Sequence, residues 1–491
     1  MKICIIGAGW YGSHIARAAR QAGHEVTLVD RNARIFQGVS GSRGIRLHSG
    51  PHYPRSVQTR QGCHVNSEKF SNTYPGLVIP HQYSVYGLGE EDANGAPSKV
   101  DEGQFDAVCQ ETTSEKITPA EWGYQHLISA FNVKEPSIAG GEHLCTEFEG
   151  YLKQAGVRVV CNFNVTKLER TSNGISVTDG NTTETFDFVV NSTCFENLLP
   201  NKPLPFDIEA VYQPCLALVY RDKLETVAKP PFSFIVMDGM YPCMMPYNER
   251  YVGPLKKDDK GDAYRVYMVT HGKWTIMASC DTFEKSQAVL HGITDEFVAQ
   301  HIAPKCEADM TKFWPAFKNR FEYLGWTGST LAKVKTAKEF RGAFSFCERD
   351  RPVAHVFPGK VGCIFSVGDE ILTLLRNQQE DILEQDGYKF VKHGVLHEAL
   401  GEMTEKPAAN DDRNTCQLQT YTELLNADKT VNTPKAADMH EAAKSLMGII
   451  RHNGHVLWAS SSFTQGTLPV SALPVPASGQ ERSDDLLLSS R

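Results

Sequence analysis

A chain of 491 residues with 41% hydrophobic residues is long enough for two or more domains with full-sized cores. Its formal net charge of −8 argues against a nucleic-acid partner, no apolar stretch approaches a membrane span, and a first strand starting at residue 2 leaves no room for a signal peptide before it. The thirteen cysteines lack CxxC or other metal-ligand spacing, so the expectation is buried thiols in a reducing, cytoplasmic setting, with no metal and a small-molecule ligand.

The run "MKICII" leads into "GAGWYG", "SHIARAARQAG" follows with good helix formers, and "HEVTLVD" reads as a second strand. Strand, turn, helix and strand in this order form the setting in which a GxGxxG turn binds a dinucleotide. Gly7 allows the tight turn, Gly9 lets backbone approach a pyrophosphate, and Gly12 lets helix and strand pack closely. Asp30 ends the second strand, where a carboxylate can accept hydrogen bonds from a ribose hydroxyl; the neighbouring Arg31 leaves a ribose phosphate open. The turn by itself does not separate NAD from FAD.

Next, "RNARIFQGVSGSRGIRLHSG" has no clean periodicity and reads as an ordered loop. Arg43, Arg46, Arg55 and Arg60 cluster here in an acidic protein, and guanidinium forks suit a pyrophosphate. The segment "LHSGPHYPRS" adds His48, His52 and Tyr53 around the Gly50–Pro51 step.

Farther along, "EHLCTEFEGYLKQAG" patterns as an amphipathic helix, "VRVV" as a strand returning to the first sheet, and "GISVTDGNTTETFDFVVNST" as a hairpin feeding a buried strand. From 206 to 275 the chain turns β-rich and aromatic, as in an antiparallel sheet beside a cavity. Helices are expected over "KSQAVLHGITDEFVAQHIAPKC" and "ADMTKFWPAFKNRFEYLG". "VAHVF", the turn "PGK" and a helix over "SVGDEILTLLRNQQEDIL" restore the first style. "AADMHEAAKSLMGIIRHN" suits an amphipathic helix, and the Ser/Pro-rich tail from 459 to 491 reads as disordered. His271 with Lys273, and Arg349 with Arg351, read as ordinary pairing partners before they read as a carboxylate site.

Four of these segments resemble the D-amino-acid oxidase superfamily of FAD enzymes, which includes glycine oxidase, sarcosine oxidase and L-2-hydroxyglutarate dehydrogenase. They are "GAGWYG" with Asp30, "SGSRGIRLHSGPHYPRS", "GVRVVCNFNVTKL" with "FDFVVNST", and "FPGKVGCIFSVGDEIL". The last reads "GKVGC" where family members usually carry an "HGG"-like stretch, and "NSTCF" stands in place of "AxG". The resemblance implies an α/β fold with a discontinuous Rossmann-type FAD-binding domain (1–90, 140–205, 335–390) and an inserted antiparallel β-rich α+β substrate domain (91–139, 206–334). A C-terminal helical extension at 391–458 and the tail complete the chain.

It also implies FAD as cofactor, held by Gly7, Gly9, Gly12, Asp30 and Arg31, with Ser42 and Arg43 on the pyrophosphate or ribityl oxygens. Val165 falls on the adenine side, and Gly359, Lys360 and Gly362 form the closing flavin contact. His48, His52 and Tyr53 would lie nearest the redox centre, with Arg55 available to an anionic group. The activity implied is oxidation of a small amine, amino acid or 2-hydroxy acid by hydride transfer to flavin. A fainter similarity, through "HSGPHY", points to UDP-galactopyranose mutase, a non-redox use of flavin. The third alternative is dinucleotide binding without catalysis.

Overall fold

The computed structural model describes residues 1–405, apart from 43–44, 197, 248–255 and 337–339. Strands Lys2–Ile6 (β1) and Glu25–Val29 (β2) are almost wholly apolar and buried, as parallel strands covered on both faces must be. They are neighbours in an eight-stranded sheet in the order Ile382–Gln385, Tyr388–Val391, Phe344–Glu348, Val353–Phe357, Phe188–Asn191, β1, β2, Arg158–Val160. The last five pair in parallel and the first three add antiparallel. Helix Trp10–Gln21 (α1), with helices Gly141–Ala155 and Ile364–Arg376, shares one core with β1 and β2. A three-stranded meander (Lys167–Thr171, Gly174–Thr178, Thr183–Phe186) lies over Cys4, Ile6 and Val29 on the other face.

A second eight-stranded sheet runs Phe321–Val334, Ala210–Thr226, Tyr264–His271, Pro242–Pro246, Ser233–Met237, Ser84–Gly89, Leu127–Asn132, Glu115–Lys116. All its pairings are antiparallel except that of Ser84–Gly89 with Ser233–Met237. The strand at 84–89 therefore belongs to the second sheet although it precedes residue 90. Between the two sheets sits a small one: Ile45–Arg46 (β3) and Val78–Ile79, each antiparallel to Ser137–Ile138.

The described part of the stretch after Asp30 contains the short helix Val39–Ser42 (α2) and, beyond residues 43–44, strand β3. Two helical expectations are corrected. The second one ends early: helices Ala303–Phe313 and Phe317–Arg320 give way at Phe321 to a fourteen-residue strand. Its aromatic and Thr-rich sequence pairs along the length of Ala210–Thr226, and that ladder outweighs local helix preference. The third helix starts at Ile364 and stops at Arg376, where Asn377 takes a left-handed conformation (φ 51°) that ends the hydrogen-bond ladder. The amphipathic stretch after 430 and the tail lie outside the described residues.

Candidate active site

The glycine turn is built as its spacing requires. Gly7 has φ +97°, in the left-handed region. A Cβ on Gly12 would lie 1.9 Å from Gly7 O, so only glycine lets α1 approach the turn this closely. Gly9 is the N-cap of α1 and supplies no side-chain cap, which leaves first-turn N–H groups for an outside acceptor. Ser40 Oγ, from α2, lies 3.4 Å from Trp10 N and would be 2.8 Å from a Cβ on Gly9. A hydroxyl therefore faces the helix N-terminus across a gap that a Cβ would fill. Asp30 accepts from Ala8 N at 2.7 Å and from Asn32 N at 2.8 Å, which ties the end of β2 to the turn. This geometry fits a dinucleotide pyrophosphate over the turn and a ribose beside Asp30.

Other expected positions divide. Arg31 is ion-paired with Glu196 at 2.6 Å. The Val165 side chain is buried under the meander. Arg43 and the Ser42 side chain lie outside the described residues. Gly359 packs on backbone: a Cβ there would be 2.4 Å from Gly342 C and 2.6 Å from Arg341 O. Gly362 lies against Asn66 of helix Val57–Thr73 (α3). Tyr11, inside the fingerprint, donates to Lys360 O at 2.6 Å and accepts from Gly359 N at 3.1 Å. The closing turn is thereby bolted to α1.

The arginine cluster differs from expectation. Arg46 faces Glu135, Arg55 donates to Asp238 Oδ2 at 2.5 Å, and Arg60 donates to Glu111 at 2.9 Å. Arg55 and Arg60 hydrogen-bond protein carboxylates, and Arg55 is already neutralised where a substrate anion was expected, whereas Arg46 faces Glu135 only at ion-pair distance. Arg349 with Glu384 shows the surface pairing expected of it, whereas His271 with Asp309 and Arg351 with Glu348 pair in largely buried settings and Lys273 donates to Ala93 O.

The segment 47–56 does bring its aromatic groups together, around a residue the sequence did not mark. The register of β3 against Ser137–Ile138, extended by Leu47 N to Pro136 O, puts His48 and Ser49 opposite Glu135. Glu135, 1% exposed, accepts from Ser49 N (2.6 Å), Ser49 Oγ (2.9 Å) and Tyr86 Oη (2.5 Å). His48 Nδ1 lies 3.5 Å and Arg46 Nε 3.7 Å from its Oε2. Burial pushes the Glu135 carboxyl up, but His48, Arg46 and Tyr86 together outweigh it and hold the group below its ordinary value, at about 2. The ionised carboxylate assigns the His48 proton to Nδ1 and leaves Nε2 as the basic nitrogen.

His48 stacks on His52 (centroids 4.7 Å apart), and Tyr53 meets both rings edge-on. Burial lowers both imidazoles, His48 to about 4, so they are neutral near pH 7. Lys360 Nζ lies 5.1 Å from the Tyr53 ring centroid. Burial first, then Arg341 and Arg46, lower its ammonium to about 8. Among the described residues, four buried polar atoms here find no hydrogen-bond partner: Arg46 Nε and Nη1, His52 Nδ1 and Tyr53 Oη. Each such atom costs about 1–3 kcal/mol when left unsatisfied, so their convergence marks a place shaped for a ligand. Sequence reasoning missed Glu135 and Tyr86; the signal that could have found Glu135 is the pairing of "IR" with "SI".

The family of FAD-dependent oxidoreductases called DAO matches residues 2–333. The chain belongs to this family. It is 41% identical over 436 residues to the FAD-dependent monooxygenase kojA of Aspergillus flavus, covering 87% of this chain and 99% of the relative. Among solved structures, glycine oxidase from Geobacillus kaustophilus superposes with a TM-score of 0.52 at 12% identity, over 83% of this chain and 99% of that one. L-Proline dehydrogenase from P. horikoshii gives 0.52 at 18%, over 77% and 93%. These superpositions show the shared fold, and with the family they show an FAD-dependent enzyme, as the four segments implied. No helix among the described residues is long and apolar enough to cross a membrane.

Proposed function

We propose that the chain oxidises a small polar substrate at FAD, with the first sheet holding the cofactor and the second sheet walling the substrate. In this reading Gly7, Gly9, Gly12 and the N-terminus of α1 bind the pyrophosphate, Asp30 binds the adenosine ribose, and the 46–53 segment with Lys360 faces the flavin and substrate. The observation that carries the reading is the set of unsatisfied buried atoms on Arg46, His52 and Tyr53 beside the Lys360 ammonium. Bound FAD supplies a two-electron acceptor.

The side chains supply the rest. His48 Nε2, basic because Nδ1 is turned to Glu135, takes the proton of a hydroxyl or ammonium as a hydride leaves the adjacent carbon. Arg46 and Lys360 hold an oxygen of the substrate that carries or develops negative charge. This suits a 2-hydroxy acid, an amino acid or an acidic hydroxyl compound. Tyr86, Tyr53 and the stacked histidines keep water away.

A second reading, that a nicotinamide donor supplies two electrons and O2 gives one oxygen atom to the product and the other to water, is favoured by the 41% identity to a protein named a monooxygenase. Anaerobic mixing separates the two. Under the first reading the substrate alone bleaches the yellow protein; under the second a nicotinamide donor is needed. A protein isolated without flavin, and unable to take it up, would sink both.

A further inference from the structure

Residues 395–404, which follow the first sheet, pack as core. Leu396, Ala399 and Met403, from helical turns Val395–Glu398 and Leu400–Thr404, lie in the largest apolar cluster. The buried carboxylate of Glu370 fixes the start of the segment: it accepts from Val395 N at 2.7 Å, and from Ser345 N and Oγ at 2.8 and 2.7 Å. The Thr336 hydroxyl donates to Glu402 O at its end.

From that anchored turn the Glu402 carboxylate reaches the residue that closes "LHSGPHYPRS". It accepts from Ser56 Oγ at 2.7 Å and faces Gln58 N at 3.4 Å. Ser56 is the N-cap of α3 and is buried, so Glu402 sits where an anion is favoured by the helix N-terminus. The contact continues to the other wall of the site. Thr59 Oγ1, bonded to Ser56 Oγ at 2.8 Å, accepts from Arg341 N at 3.3 Å, and Arg341 O accepts from Lys360 N at 3.0 Å.

We infer that Glu402 is a positioning residue of the active site, clamping the exit of the 47–56 loop and, through Thr59 and Arg341, the turn that carries Lys360. It touches no reacting group itself; its effect is to keep His48 and Lys360 in register with each other. A displacement of about 1 Å in such groups lowers a rate by up to about a hundredfold. The inference rests on the active-site reading above for its catalytic consequence, whereas the clamp itself stands on the contacts.

The test compares full-length, flavin-loaded Glu402→Ala, Glu402→Gln and Glu398→Ala, the last an exposed neighbour on the preceding turn. Two readouts are taken: amide hydrogen exchange over 47–60, and the anaerobic rate of flavin reduction by a panel of 2-hydroxy acids and amino acids. Glu402→Ala should keep its flavin, exchange faster over 47–60 with 2–6 unchanged, and reduce at least about tenfold more slowly, as expected for a misplaced group. Glu402→Gln, which keeps an acceptor for Ser56, should recover most of the rate, and Glu398→Ala should match wild type.

Unchanged exchange in Glu402→Ala overturns the clamp, and faster exchange with an unchanged rate overturns its role in positioning. General loss of flavin and melting temperature in Glu402→Ala and Glu402→Gln alike would make the contact ordinary core. If the wild-type flavin is reduced by no compound in the panel, with or without a nicotinamide donor, the active-site reading has failed, and hydrogen exchange alone decides the clamp.

Discussion

Removing the Glu135 charge exposes the electrostatic design of the site. Arg46 is 3% exposed and its Nε lies 3.7 Å from Glu135 Oε2, a separation worth about 4 kcal/mol at an effective dielectric constant of 20. Lowering the carboxyl from 4.5 to about 2 corresponds to about 3 kcal/mol of preferential stabilisation of the ionised form in the folded state. Breaking a buried pair by removing one partner typically costs about 3–5 kcal/mol. Glu135→Leu is therefore expected to lower the midpoint of urea unfolding of the flavin-loaded protein by an amount equivalent to at least about 3 kcal/mol at pH 7. The double variant Glu135→Leu/Arg46→Met should lose less than the two single losses together, because no uncompensated charge remains buried. Because this folded-state value is depressed, the contribution is present above the unfolded value of 4.5 and fades as pH falls through about 2. Additive losses in the double variant, or a wild-type midpoint in Glu135→Leu, would refute the reasoning.

Gly12→Val should yield protein without flavin, since a Cβ there collides with Gly7 O; visible absorbance of the purified variant checks it. Asp30→Ala should weaken flavin binding while leaving it measurable, because the Ala8 N contact is lost but the turn remains; a flavin titration of the apoprotein reads this. With its ammonium depressed to about 8, Lys360 loses its charge as pH rises through that value, so flavin reduction should slow above about pH 8 and Lys360→Arg should extend activity to higher pH. Arg55→Ala should lower the melting temperature by releasing Asp238 while changing the substrate KM little, contrary to an anion-binding role.

The cofactor half was legible because its constraints are local: a tight turn, a close helix and a strand-end acid lie within thirty residues and need particular residue types. The grouping of His48, His52 and Tyr53 was legible for the same reason. Glu135 was not, since nothing in "NVKEPS" marks it; it enters through the pairing of two two-residue strands distant in sequence. Helix α3 was hidden by its own buried stripe of Thr59, Cys63, Asn66 and Phe70, which has helical spacing but two polar members. Arg46, Arg55 and Arg60 looked like a phosphate cluster because their carboxylate partners come from elsewhere in the chain.

We place the redox pocket of this FAD enzyme at the loop 46–53 and Lys360. Anaerobic rapid mixing of flavin-loaded wild type, His48→Ala and Lys360→Met with 2-hydroxy acids and amino acids, with and without a nicotinamide donor, tests it most directly. Full flavin content is expected in all three, with bleaching of wild type and slowing of each variant by at least about a hundredfold, the scale of a lost acid–base or charge-stabilising group. Wild-type bleaching rates in both variants would contradict it and move the pocket elsewhere on the second sheet.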